Sequence, residues 1–243
     1  MQTRIFGNAV GNAGSTITAK AGSGFSNLVV LNSNGTTSVR TWFFPAALQV
    51  PDAKFKVTIL GAGGQGGGST AGSWNYGGGG GSGSLAVIWM QVIQGFYEFD
   101  YVIGQGGSTG TSASAGAAGT VATQLTYVNS TYSAGVGSGG PLYVSTGDVG
   151  GAGGTFVAPS TVDRPNWKYL SINGGRGGGP GQSLANYSID ATGSDSPFGL
   201  GLGGPKALIA AGGSAATGYG AGGGGASNGI GGAGGDGLIL IEY

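Results

Sequence analysis

The chain contains no cysteine and no histidine among its 243 residues. A disulfide framework, a thiolate zinc site and a cysteine nucleophile are therefore excluded, and no Ser-His-Asp triad can be built. Charge is scarce: charged residues make up 7 % of the chain, nine basic against nine acidic, for zero formal net charge. With no basic cluster or charge run, nothing points to nucleic acid or to electrostatic capture by an anionic membrane. Long apolar runs are missing too. The longest, Leu85 to Ile93, is too short to span a bilayer, and the N-terminus lacks the apolar core of a signal peptide. The expectation is a soluble protein without membrane insertion, not exported by a signal of its own.

What the chain has instead is glycine, 60 residues, with only 8 prolines. Such a content usually marks low complexity or disorder. Against that stand a 39 % hydrophobic fraction and ten tyrosines, nine phenylalanines and four tryptophans, where disordered chains are poor in aromatics and rich in charge. The glycines are also ordered. The pattern x-Gly-Gly-x-Gly-Gly starts at Ala62, Val149, Asn173 and Ile230, and a period of three is that of a polyproline II type helix, which has no internal hydrogen bonds. Its donors must find partners on neighbouring segments. With two of three faces bare, such helices can pack backbone to backbone, leaving the third face for Ala62, Gln65, Arg176 or Asp236 on the outside. Collagen needs one glycine in three and much proline, so it does not fit.

The organising stretch is Lys54 to Gly83, in which the strand-like KFKVTIL feeds a glycine run, a short aromatic loop and a second glycine run. The β-branched Val57, Thr58 and Ile59 favour a strand. Before it, residues 1–53 hold only six glycines and read as short strands at Ile5-Phe6, Ile17 to Ala19, Phe25 to Leu31 and Ser38 to Phe44, forming a β-rich attachment region. Pro45 and Pro51 mark its boundary with a glycine-rich domain over 54–243. Leu85 to Ile93 and Phe96 to Ile103 read as a hairpin turning at Gln94-Gly95, and with Lys54 to Leu60 and Leu238 to Tyr243 they form a hydrophobic base. Val121 to Tyr132 reads as a strand ending in an aromatic loop. Helical periodicity is absent, so the predicted fold is all-β and irregular, a small sheet base carrying packed polyglycine II helices and distal variable loops, with little or no α-helix.

The catalytic motifs fail on context. Gly61 to Gly66 satisfies G-x-G-x-x-G but opens no helix. Gly106 to Gly110 satisfies G-x-S-x-G, yet the chain has no histidine. The nearest carboxylates on one loop, Asp190 and Asp195, read as turn residues, no calcium-loop pattern appears, and no cofactor is predicted. Asn34, Asn129 and Asn186 begin glycosylation sequons, a motif short enough to arise by chance. The stronger signal is aromatic. Tyrosine and tryptophan offer rigid contact area at low entropic cost, and Trp74, Asn75, Tyr76, Tyr127, Tyr132, Arg164, Trp167, Tyr169 and Tyr187 fall in or beside interruptions of the glycine pattern. The predicted binding loops are Ser69 to Tyr76, Ser108 to Ala115, Tyr127 to Tyr132, Thr155 to Leu170 and Ser183 to Phe198.

TWFFP, KFKVTILGAGGQGGG, YGGGGGSGSLAVIW, YEFDYVIGQGGS and the ending GGAGGDGLILIEY resemble the glycine-rich domain of bacteriophage tail-fibre proteins, and more specifically the receptor-binding tip adhesins of T-even-like long tail fibres. The resemblance covers roughly 35–243, while residues 1–34 do not look like the attachment domain of those adhesins. It implies a virion protein at the tail-fibre tip, with no enzymatic activity, whose loops recognise a host outer-membrane protein or surface glycan. It also implies a phage tail-fibre partner for the N-terminal region, in a homotrimer or as a monomer on a trimeric fibre. The alternatives are a structural decoration or assembly protein of the virion and an ice-binding glycine bundle.

Overall fold

A computed structural model describes residues 16–17, 25–33, 35–70, 75–112, 114–142, 149–159, 167–179, 181–182, 191–206 and 211–243. The chain is all-β, as expected, with α-helix absent among the described residues and two short 3-10 turns at Ala46–Leu48 and Pro197–Gly199.

The base is a sandwich of two antiparallel sheets. The first contains β1 (Thr16–Ile17), β2 (Leu28–Asn32), β4 (Lys54–Leu60), β6 (Leu85–Gln91), β11 (Lys168–Ile172) and β15 (Leu238–Glu242), in the order β1-β2-β15-β4-β6-β11. The second contains β3 (Arg40–Phe43), β7 (Glu98–Val102), β8 (Thr123–Tyr127), β9 (Ser130–Ala134) and β10 (Phe156–Val157), in the order β10-β9-β8-β7-β3. Alternation along each strand sends one set of side chains between the sheets. Phe55, Val57 and Ile59 of β4 thus meet Ile88 and Met90 of β6, Ile239 and Ile241 of β15, and Phe99, Leu125 and Tyr127 of the second sheet in one buried cluster. Two-residue strands β5 (Asn75–Tyr76) and β12 (Gly181–Gln182) pair with each other, as do β13 (Gly201–Leu202) and β14 (Thr217–Gly218).

Two expectations about the base are corrected. The runs around Gln94-Gly95 do not form one hairpin within a sheet. The chain does turn there, with Phe96 N–H donating to Ile93 O at 3.0 Å and Gly95 at φ +87, but β6 and β7 then enter opposite sheets. Nor does a domain boundary fall at residue 53. Strands β2 and β3 come from the segment before it and supply one strand to each sheet, because their apolar faces (Val29 and Leu31, Trp42) complete the same core. The expected strand at Ile5-Phe6 lies outside the described residues.

Above the sandwich stands a glycine lattice. Leu60, Leu85 and Leu238 are register partners, so β4, β6 and β15 pass into glycine segments 61–69, 77–84 and 230–237 at one level. Hydrogen bonds along 61–69 rotate with period three. Gly63 and Gly66 donate to Gly235 and Gly232, Gly64 and Gly67 to Gly81 and Gly78, and Gln65 and Gly68 to Ala117 and Ser114, all at 2.7–3.1 Å. Carbonyls of the same segment accept from three further neighbours: Gly107 to Gly63, Gly223 to Gly64 and Gly140 to Gln65. Successive residues addressing different neighbours is what a three-fold helix without internal bonds requires. Segments 77–84 and 220–226 are surrounded in the same way. The segments pack so closely that a Cβ on Gly63, Gly66 or Gly80 would collide with the carbonyl oxygen of Ala221, Gly224 or Gly64. Glycine is required here by proximity and not by φ.

Side chains are not confined to the outside of this lattice, as the sequence suggested. Ala62 and Gln65 are buried. The Gln65 amide fills a gap between segments, with Oε1 accepting from Gly110 N at 2.7 Å and Ala117 N at 3.2 Å, and Nε2 donating to Gly231 O at 3.1 Å. Asp236 Oδ1 accepts from Gly106 N at 2.8 Å and Ser82 Oγ from Gly175 N at 2.8 Å. These polar groups stand in for backbone acceptors where a neighbouring segment is out of reach.

Candidate recognition surface

The lattice decides which segment ends lie together. Gly61 N–H donates to Ser84 O beside the sheets, Gly67 N–H to Gly78 O farther out, and Ser69 bridges Gly229 at the far end. The ends of segments 61–69, 77–84, 220–226 and 230–237 opposite the sandwich therefore lie together. Gly78 N–H reaches Pro141 O, Gly79 N–H reaches Gly178 O, Gly225 N–H reaches Ala191 O and Ser227 N–H reaches Ala211 O. These bonds add the ends near 141, 178, 191 and 211 to the same distal face. The turn at 111–114 joins it, since Gly68 N–H donates to Ser114 O and Thr111 N–H to Ser114 Oγ.

At this face β5 pairs with β12, Gly181 opposite Tyr76 and Gln182 opposite Asn75. Tyr76 is buried against Ala191 and Ala211, with Lys206 Nζ 5.7 Å from its ring centroid. A cation beside an aromatic face is attracted to the ring quadrupole. Thr70, Thr111, Asn228 and Ile230 are exposed here. Ser227 Oγ accepts from Ala211 N at 3.0 Å, which ties the last distal turn to its neighbour.

The residues predicted to bind are scattered by the fold. Trp74, Arg164 and Tyr187 lie outside the described residues, and Asn75 is placed only by its backbone. Tyr76 is at the distal face but is a buried anchor. Tyr127, Tyr132 and Trp167 are at the opposite end, 1 %, 1 % and 7 % exposed in the sandwich core, and are corrected from binding residues to core residues. Tyr127 and Tyr132 belong to β8 and β9, not to a loop: the two-residue turn Val128-Asn129, with φ 45 and 62, is of the kind that closes tight hairpins. The Tyr127 hydroxyl donates to Phe96 O at 2.9 Å and accepts from Ile93 N at 3.0 Å, so its polar tip is satisfied inside the core. Burial pushes the Tyr132 hydroxyl above its ordinary pKa, with nearby Tyr169 adding to the shift. Tyr169 is 45 % exposed, but on edge strand β11 at the base. Of the segment read as a binding loop over Thr155 to Leu170, Phe156–Val157 form β10 and Lys168 to Leu170 begin β11, while 160–166 lie outside the described residues. Of the loop read over Ser183 to Phe198, 183–190 lie outside them, and Phe198 lies away from the distal face, in the turn whose Leu200 packs near Leu60.

Sequence reading passed over a groove at the base. It has a volume of about 890 Å³ and is lined by Phe25, Lys54, Trp89, Gln91, Lys168 and Tyr169 over the buried Phe55 and Met90. Its residues come from four separate strands or strand ends, so no local pattern announces it. Among the described residues there is no cluster of three potential metal ligands, and no helix is long and apolar enough to cross a membrane. No family model matches this chain, and no curated protein sequence matches it.

Proposed function

We propose that this protein is a non-enzymatic adhesin of the phage tail-fibre-tip kind, which recognises a host outer-membrane protein or surface glycan through the turns at the distal face of its glycine lattice. The observation that carries this reading is the gathering of segment ends from distant parts of the sequence on one face, opposite the sandwich. A frame held by backbone hydrogen bonds is indifferent to the sequence of the residues that join its ends. The sandwich end, including the strands from the N-terminal region, is then left to face a fibre partner in the virion. The resemblance of the glycine-to-strand segments to tail-fibre tips supports the same role.

Labelled protein titrated onto a panel of intact Gram-negative cells tests it. Saturable, strain-restricted binding is expected. Loss after protease treatment of the cells would mark a protein receptor, and persistence a glycan. Failure to bind any strain of a wide panel would overturn the reading in favour of a structural virion protein.

A further inference from the structure

Strand β11 is the last strand of its sheet, and all five of its residues are exposed. Its inner flank is fixed: the Tyr169 ring lies 5.3 Å from that of Phe156 and 6.5 Å from that of Tyr132, centroid to centroid. Outside its ladder to β6, Lys168–Ile172 make no backbone hydrogen bond among the described residues. An edge strand presents a row of free backbone donors and acceptors to one side. On the outer surface of the sheet Leu170 and Ile172, 51 % and 36 % exposed, alternate with Lys168. The groove described above opens beside this edge, with Lys168 and Lys54 among its lining residues.

The lining of the groove carries Lys54 and Lys168 and no carboxylate. Among the described residues the ion pair present is Lys56 with Glu242, and neither Lys54 nor Lys168 lies within ion-pair distance of a carboxylate. Beside the groove, Glu242 is taken up by Lys56 and Asp52 accepts a 2.6 Å hydrogen bond from Gln91 Nε2. Two ammonium groups without an ion pair among the described residues, an apolar floor and exposed Trp89 call for an anionic partner with apolar side chains. An extended peptide can use the row of backbone groups that the edge offers at strand spacing.

We infer that β11 and the adjoining groove form a docking site for an extended acidic segment of a partner chain, added as a further strand beside β11 with a carboxylate on Lys168 at the mouth of the groove. This site is independent of the distal turns and of whether they bind cells.

The test uses the full chain and calorimetric titration with a blocked heptapeptide of alternating glutamate and valine. The comparison probes are the lysine-valine counterpart, the acidic peptide N-methylated at alternate residues, and trigalacturonate as an acidic saccharide. The acidic peptide is expected to bind saturably and to slow amide exchange along 168–172. Lys168→Glu, a surface change whose folding is checked by circular dichroism, should weaken it by about tenfold or more, as should N-methylation on one of the two alternate registers. No binding of the acidic peptide, equal binding of the lysine peptide, unchanged affinity with both N-methylated registers, or binding of trigalacturonate alone would each overturn the proposal.

Discussion

Trp167 stacks on Tyr127 inside the sandwich, ring centroids 5.3 Å apart and planes 14° from parallel. The pair joins the entry to edge strand β11 to the hairpin of β8 and β9, across the two sheets. Replacing Trp167 with alanine would remove a large buried side chain and leave a cavity, so a loss of about 3–5 kcal/mol is expected. Chemical denaturation of the variant against the parent measures it. A loss under about 1 kcal/mol would mean that Trp167 is not a core residue. Tyr169→Ala, half exposed, should cost markedly less.

Lattice glycines and turn glycines should respond differently to alanine. Gly80→Ala places a Cβ against the backbone carbonyls of Gly64 and Gln65, with nothing flexible to move. A loss at or above about 3 kcal/mol is expected, the upper end of overpacking costs. Gly95 faces open space at φ +87, so Gly95→Ala should cost only the left-handed backbone penalty, about 1–2 kcal/mol. Thermal unfolding of the two variants side by side decides this, and equal losses would refute close packing as the reason for glycine.

Gln65 satisfies three backbone groups within the lattice. Gln65→Met keeps most of the volume and strands all three, each unsatisfied buried group costing about 1–3 kcal/mol. A combined loss of about 3 kcal/mol or more is expected. A nearly neutral result would show that water or a shift of the segment replaces the amide.

The pH dependence should be flat where most proteins vary. Without histidine or cysteine, no side chain has an ordinary pKa between the carboxylates and the tyrosines. At the alkaline end Tyr132, Tyr101 and Tyr243 all have raised pKa values, each chiefly through burial, with Arg40 opposing the shift at Tyr101. The folded protein then holds these protons more tightly than the unfolded chain. Their contribution is complete below the unfolded tyrosine value near pH 10 and is lost as pH rises through the folded values. Melting temperature followed from pH 6 to 12 should stay level and then fall beyond about pH 10. Tyr132→Phe should shallow the fall, and an unchanged slope would remove Tyr132 from this account.

Much of the frame was legible in the chain. The period of three in x-Gly-Gly-x-Gly-Gly announced helices bonded to neighbours, since a bare backbone without internal hydrogen bonds has no other way to satisfy its donors. The strands at Lys54–Leu60, Leu85–Gln91 and Leu238–Glu242 were readable from β-branched and apolar runs. The absence of cysteine, histidine and charge runs ruled out whole classes of chemistry before any fold was known. These properties are local or compositional, and the sequence alone determined them.

Only the tertiary structure decided where the aromatics went. Tyr127, Tyr132 and Trp167 look the same in sequence whether they cap a loop or fill a core. They became core because the hairpin at Val128-Asn129 and the strand after Trp167 are folded onto a second sheet that no local pattern specifies. The same holds for Gln65, which the three-residue repeat assigns to an outer face; the missing acceptors beside Gly110 and Ala117 drew it inward. The groove at Lys54, Trp89 and Lys168, and the distal face shared by residues near 69, 141, 178 and 229, exist because hydrogen bonds join segments far apart in the chain. Burial and juxtaposition are properties of the packed whole, and a residue's type carries no record of which neighbour will meet it.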